Sequence, residues 1–208
     1  MPLRLGDCTF TGPALPGPFV KFDLEAALNR AKLLPKDTGE DGRAFEEQWQ
    51  QYRRYLREMT PGSGAIRIRN KVIEPLASYL GYSRVEPSPD VQTREGSEPG
   101  GHLLLTQDGE SRLRVWTTGF DTDLDAPTRR GYAYRFSHVR VAQRVLLAAG
   151  ERVGLLTNGV ELRILLSEPA RPDSQVIIPV ETAWRRSRDV ADSFRLVLAL
   201  CSPAGIHH

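Results

Sequence analysis

Between Ala126 and Gly150 the chain carries Arg129, Arg130, Arg135, Arg140 and Arg144, and not one aspartate or glutamate. A guanidinium presents a planar fork of donors that suits phosphate oxygens two at a time. Phosphate contacts in turn give sequence-independent affinity for DNA. Arg140 and Arg144 are spaced to share one face of a helix, with Gln143 beside them and an apolar side opposite. Arg129, Arg130, Arg135, Arg140, Gln143 and Arg144 are therefore the candidate nucleic-acid contacts. A plainer reading has these arginines on a solvated helix, paired with nearby acids. Trp184-Arg-Arg-Ser-Arg188 is a second basic cluster.

The acids nearby are Asp121, Asp123 and Asp125. Their alternation resembles a calcium loop, but an EF-hand needs glycine at the sixth position and glutamate at the twelfth, where this chain has Ala126 and Tyr132. A solvated turn is the expectation. Glu74, on a predicted helix, and Asp108, in a predicted turn, are the other acids that could reach a divalent cation. His138 reads as a surface residue near a helix start. Cys8 and Cys201 lie near opposite ends with no CxxC pair, which excludes a zinc cluster of the usual spacing.

The elements that must position these residues follow from periodicity and punctuation. Pro2, Pro13, Pro16 and Pro18 make residues 1–22 an irregular lead-in. Asp23 is placed to cap a short helix ending before Pro35. Phe45, Trp49, Tyr52, Leu56 and Met59 recur at helical spacing and form one apolar stripe. Ala65 to Leu80 is the next predicted helix, kinked at Pro75 and closed by Gly81. Strands are expected at Val91–Glu95, His102–Gln107 and Leu113–Thr118, with Asp108-Gly109 turning the last two. Gly119 to Tyr134 is a polar loop. Ser137 caps a helix through Ala149, stopped by Gly150. Asn158-Gly159 joins Val153–Thr157 to Val160–Leu166, the dipeptide favouring a type I′ turn. A strand at Gln175–Val180 and a helix starting at Ser187 or Asp189 finish the chain. The interleaved order predicts an α/β fold, one mixed sheet with helices on its faces.

That order contains helix, three-strand meander, helix, strand, and the wording is similar in places to one family. Val72-Ile-Glu-Pro-Leu-Ala-Ser-Tyr-Leu-Gly-Tyr82, Tyr134-Arg-Phe-Ser137, Val141-Ala-Gln-Arg144 and Gly154-Leu-Leu-Thr-Asn-Gly159 with Leu162-Arg163 resemble the N-terminal domains of type I restriction enzymes. They also resemble domains of restriction-modification and phage-defence DNA methyltransferases. Both belong to the PD-(D/E)xK nuclease superfamily. The resemblance covers about residues 65–166. It implies a restriction-endonuclease-like core over residues 65–208, with residues 1–64 as an irregular and helical N-terminal extension. It also implies where catalysis would sit: an acid on the second strand, then an acid and a lysine two apart on the third. Those positions fall on His102, Trp116 and Thr118. An indole cannot ligate a magnesium ion, threonine supplies no cation, and imidazole prefers softer metals. The expectation is a nuclease-shaped domain without catalytic residues, metal or cofactor of its own. An active endonuclease with relocated acids, using Glu74, Asp108 or Asp121, is the alternative; a protein-interaction subunit is another.

Bulk properties are compatible with this and decide little. The chain has 208 residues, is 40% hydrophobic and carries a formal charge of +2, so any attraction to nucleic acid must come from local clustering. No apolar run approaches the roughly 20 residues of a membrane helix, and no signal peptide is apparent. A reduced, cytoplasmic protein is expected. The expected partners are double-stranded DNA and a methyltransferase or helicase domain or subunit.

Overall fold

The computed structural model describes residues 3–36, 38–127, 136–168, 170–187 and 189–207. A seven-stranded mixed sheet organises them. Its strands are β1 (Thr9–Thr11), β2 (Arg84–Pro87), β5 (His102–Leu105), β6 (Arg112–Thr117), β7 (Val153–Thr157), β8 (Leu162–Glu168) and β9 (Arg171–Ile178), in the spatial order β1-β9-β8-β7-β6-β5-β2. Neighbours are antiparallel except β6 and β7, which run parallel and are joined through helix α6 (His138–Ala149). A separate hairpin, β3 (Val91–Thr93) with β4 (Gly96–Glu98), is inserted between β2 and β5. The meander is thus β2, β5 and β6. The strand expected at Val91–Glu95 is instead half of that hairpin.

Register decides which side chains share a face. His102 pairs with Val115 and Leu104 with Leu113, so these four leave the sheet on the same side. Leu104, Leu113 and Val115 join a large core with Leu155, Ile164 and Val176. The helices packed into it are α2 (Leu24–Arg30), α3 (Gly39–Arg57), α5 (Glu74–Leu80) and α7 (Asp192–Cys201). Trp116, Leu156 and Leu165 leave the other face and pack under Val139, Ala142, Val145 and Leu146 of α6. These are the apolar positions that the spacing in α6 predicts. Ser137 Oγ accepts from the Arg140 N–H, and Gly150, at φ +68°, closes the helix.

Residues 1–64 are built into the larger core rather than appended to it. β1 adds an edge strand to β9. Phe45, Trp49, Tyr52 and Leu56 of α3 are buried, and Trp49 and Tyr52 pack with Trp184 and Phe194 at ring separations of 5.0–6.3 Å. Asp23 does not cap a helix with its side chain; it sits between α1 (Gly17–Phe22) and α2.

The predicted helix 65–80 is interrupted as well as kinked. α4 (Ala65–Ile68) passes through a π-helical turn, Arg69–Ile73, into α5. Pro75 has no N–H to return to the preceding turn, and the Glu74 N–H reaches back five residues to the Arg69 carbonyl. The buried Tyr52 hydroxyl donates to the Val72 carbonyl, 3.0 Å away.

Two further expectations change. Asn158-Gly159 does not form a type I′ turn: Gly159 has φ +82°, but Asn158 does not adopt the positive φ that turn requires. Instead Asn158 Oδ1 accepts from the Val160 and Glu161 N–H groups, making a longer loop in which its side chain replaces a backbone acceptor. The helix expected from Ser187 or Asp189 begins instead at Asp192 behind Ala191, with no side-chain cap, and a short helix at Pro203–Ile206 follows it. No helix among the described residues is long and apolar enough to cross a membrane.

Candidate functional site at the ends of the parallel strands

Of the three positions that would carry nuclease chemistry, Trp116 and Thr118 share one cleft and His102 does not join them. Trp116 leaves one face of the sheet; His102, at the start of β5, leaves the other beside Val115. A shift of one residue in reading a strand moves a side chain to the opposite face. The residue that lies against Trp116 is Gly101, immediately before β5. Its φ is +70°, and a Cβ there would collide with the Val115 carbonyl and stand within 2.9 Å of the indole nitrogen. No carboxylate can occupy that position without moving β6. The Trp116 indole N–H donates to the Pro99 carbonyl at 3.0 Å, which holds the ring across the gap.

Trp116 forms one wall of a cleft of about 350 Å³ lined also by Pro99, Thr118, Thr122, His138 and Val141. It opens where β6 and β7 end side by side, the usual location of a ligand crevice in a sheet with parallel strands. His138 is not a free surface residue. It stands half-buried in this cleft, without a hydrogen-bond partner among the described residues, and burial lowers its pKa below the ordinary 6.5. Among the described residues no acid lines the cleft. Its character is neutral and hydroxyl-rich.

On the other face, His102 Nε2 lies 2.8 Å from Arg69 Nη1. Because a guanidinium only donates, the imidazole accepts and is neutral. Burial, and then the Arg69 charge, push its pKa down, while Glu74 pulls weakly upward. Glu74 is 3.4 Å from Arg69 Nε. The cluster is a histidine, an arginine and one carboxylate joined through the π turn.

Asp108, Asp123 and Asp125 have partners of their own. Asp108 accepts from the Thr106 hydroxyl and the Glu110 N–H in its turn. Asp123 Oδ1 accepts from the Asp125 and Ala126 N–H groups. Asp125 pairs through both oxygens with Arg163 of β8, at 2.9 and 2.7 Å. Asp121 sits at φ +56° with its N–H donated to the Asn158 carbonyl. Among the described residues no group of three histidine, cysteine or acidic side chains is placed to hold a metal ion.

Both histidines favour the neutral ring in the native state, which fixes the sign of a pH effect. The unfolded chain takes up protons near pH 6.5 and the folded chain resists until lower pH, so stability is full above that value and falls as pH drops toward the folded pKa. Between about pH 7 and about pH 5.5 the urea midpoint of the wild type is expected to fall. The fall should shrink in a His102→Asn, His138→Gln double variant. Equal slopes for the two proteins would refute the assignment.

The structure describes three of the six candidate nucleic-acid contacts, Arg140, Gln143 and Arg144. Arg129, Arg130 and Arg135 lie outside the described residues. The ends of their segment are placed: Pro127 and Ser137 form an isolated antiparallel bridge beside the cleft. Arg140 is half-exposed and bonds Asp173 at 2.6 Å. Gln143 and Arg144 do not share its open face. Gln143 is buried, and Arg144 is covered by the β3–β4 hairpin, whose Thr93, Glu95 and Glu98 approach its Nη2. Helical spacing alone cannot report this, because the hairpin is folded over α6 from elsewhere in the chain. Trp184 in the second basic cluster is fully buried. Arg185 donates to Glu181 and to the Arg57 and Met59 carbonyls at the end of α3. Arg188 lies outside the described residues.

Arg69, Gly101, Glu95 and Glu98 are the contributors that sequence reasoning missed. Gly101 next to His102 was the one visible signal, since a glycine beside a strand marks close backbone approach. Comparison with family models, with curated proteins and with solved structures finds no match for this chain.

Proposed function

We propose that this chain is a DNA-binding or docking module with a restriction-endonuclease-like core and no hydrolytic centre of its own, belonging to a restriction-modification or phage-defence system. One observation carries the reading. Helix α5, the meander β2-β5-β6, helix α6 and the parallel strand β7 follow the core order of that nuclease superfamily, while the cleft at the strand ends holds an indole, hydroxyls and an imidazole. Two-metal or one-metal phosphodiester hydrolysis needs carboxylates at that place. What the region offers a phosphate is charge: Arg129, Arg130 and Arg135 fall in the sequence between Pro127 and Ser137, which bridge each other, and Arg140 lies in the first turn of α6. Duplex DNA is the partner this favours, presented to a methyltransferase or helicase domain or subunit.

The test is a mobility shift of duplex DNA at about 50 mM salt, where phosphate contacts are strong. The wild type is expected to retard DNA. Changing Arg129, Arg130, Arg135 and Arg140 to alanine should weaken binding and flatten the plot of log affinity against log salt by about one for each arginine that reaches a phosphate. Plasmid incubated with magnesium or manganese should stay intact. Nicking abolished by Glu74→Ala, Asp108→Ala or Asp121→Ala would establish relocated acids instead. No retardation at all would leave a protein-interaction role.

A further inference from the structure

The β3–β4 hairpin is tied to β6 at its base and lies on α6. At the base, buried Arg114 donates to Ser88 Oγ and the Gly100 carbonyl and pairs with Glu151, so the two ends of the insertion are tied to β6. Beyond the base, Val91 packs against the α6 cluster, and among the described residues the hairpin's acids pair with Arg144 alone. Its Nη2 lies 2.7 Å from Glu95 Oε2, 3.1 Å from Glu98 Oε1 and 2.9 Å from Thr93 Oγ1. The Phe136 ring stacks on the guanidinium, 4.1 Å from its central carbon. Nine-tenths of the Arg144 side chain is buried, and still Nε and Nη1 have no hydrogen-bond partner among the described residues.

This is an unusual use of an arginine. A guanidinium normally offers two parallel donors to one carboxylate or phosphate. Here three acceptors crowd one nitrogen, two of them carboxylates, and the rest of the fork is idle. Two negative charges face one positive charge, and an isolated two-stranded hairpin has little stability of its own. We infer that Arg144 is a phosphate-binding residue of the DNA face which the hairpin covers, Glu95 and Glu98 standing where phosphate oxygens would bind. Opening the hairpin about its Arg114 base exposes Arg144 in line with Arg140, so DNA and the hairpin compete for one guanidinium. The inference rests on the DNA-binding reading above.

The experiment compares duplex affinity of the wild type with that of a Glu95→Gln, Glu98→Gln variant. A charge-matched control, Glu46→Gln with Glu47→Gln on α3, accounts for the general change in net charge. The hairpin variant should bind at least about tenfold more tightly than the control, because the competent state no longer has to be released. Adding Arg144→Ala should remove that gain. In hydrogen exchange, amides of residues 94–98 should exchange faster in the hairpin variant than in the wild type. If the wild type binds DNA but the hairpin variant gains no more than the control, or keeps its gain without Arg144, the covering role is overturned and the DNA-binding reading stands. If neither protein binds DNA, both fall.

Discussion

A chain shortened to residues 65–208 is expected to lose cooperative folding altogether. The boundary is the one the resemblance suggests, and the core does not respect it. Shortening removes Leu24, Leu28, Phe45, Trp49, Tyr52, Leu56 and Met59 from a continuous cluster, and strips β1 from β9. Deleting a single large buried side chain costs about 2–5 kcal/mol. The total stability of a domain is about 5–15 kcal/mol, so losing seven such side chains exceeds it. The Val72 carbonyl in the π turn would also lose the Tyr52 hydroxyl. Far-UV circular dichroism through a urea titration reads the outcome. A sigmoidal transition in the shortened chain, near the wild-type midpoint, would show that residues 1–64 are dispensable after all.

Trp184→Ala is the next largest expected effect. The indole is fully buried, lies within 6.3 Å of the rings of Trp49, Tyr52 and Phe194, and donates its N–H to Ser193 Oγ at 2.7 Å. Truncation leaves a cavity among aromatic rings and an unpaired buried hydroxyl, a loss of about 3–5 kcal/mol. For a chain of this size that corresponds to a fall in Tm of about 10 °C or more. Arg186→Ala, two residues away on an exposed side chain, should change stability by less than about 1 kcal/mol. Thermal unfolding of the two variants side by side decides the matter. Similar midpoints would mean that Trp184 is not the keystone its burial indicates, and would restore the view of residues 184–188 as a surface cluster.

How far the site could be read in advance depends on the range of the forces involved. α3 and α6 were legible because a 3.6-residue stripe, a capping serine and a terminal glycine act within one or two turns. β7 and β6 were legible as apolar runs bounded by turns, with β6 shifted by a residue. The π turn was only half visible: Pro75 announces a disturbance, but whether the helix kinks or widens depends on what packs beside it, here Tyr52. The assignment of His102, Trp116 and Thr118 to one site failed because strand direction and face come from register with a partner strand. Pairing His102 with Val115 sends the imidazole toward Arg69 and leaves Gly101 beneath the indole. The covering of Arg144 was invisible for the same kind of reason, since Glu95 and Glu98 reach it across some fifty residues of chain.

From the amino-acid order alone came the α/β class, the two best-defined helices, the absence of an acid–lysine pair on the third strand of the meander, and a basic stretch around Arg140. Those are properties of residue type and of neighbours a few positions away. Only the folded chain decided that residues 1–64 share the core, that the cleft is walled by Trp116 and His138, and that Arg144 is covered by carboxylates. Each of these depends on which distant surfaces bury one another. That is settled by packing the whole apolar area at once rather than by any local preference.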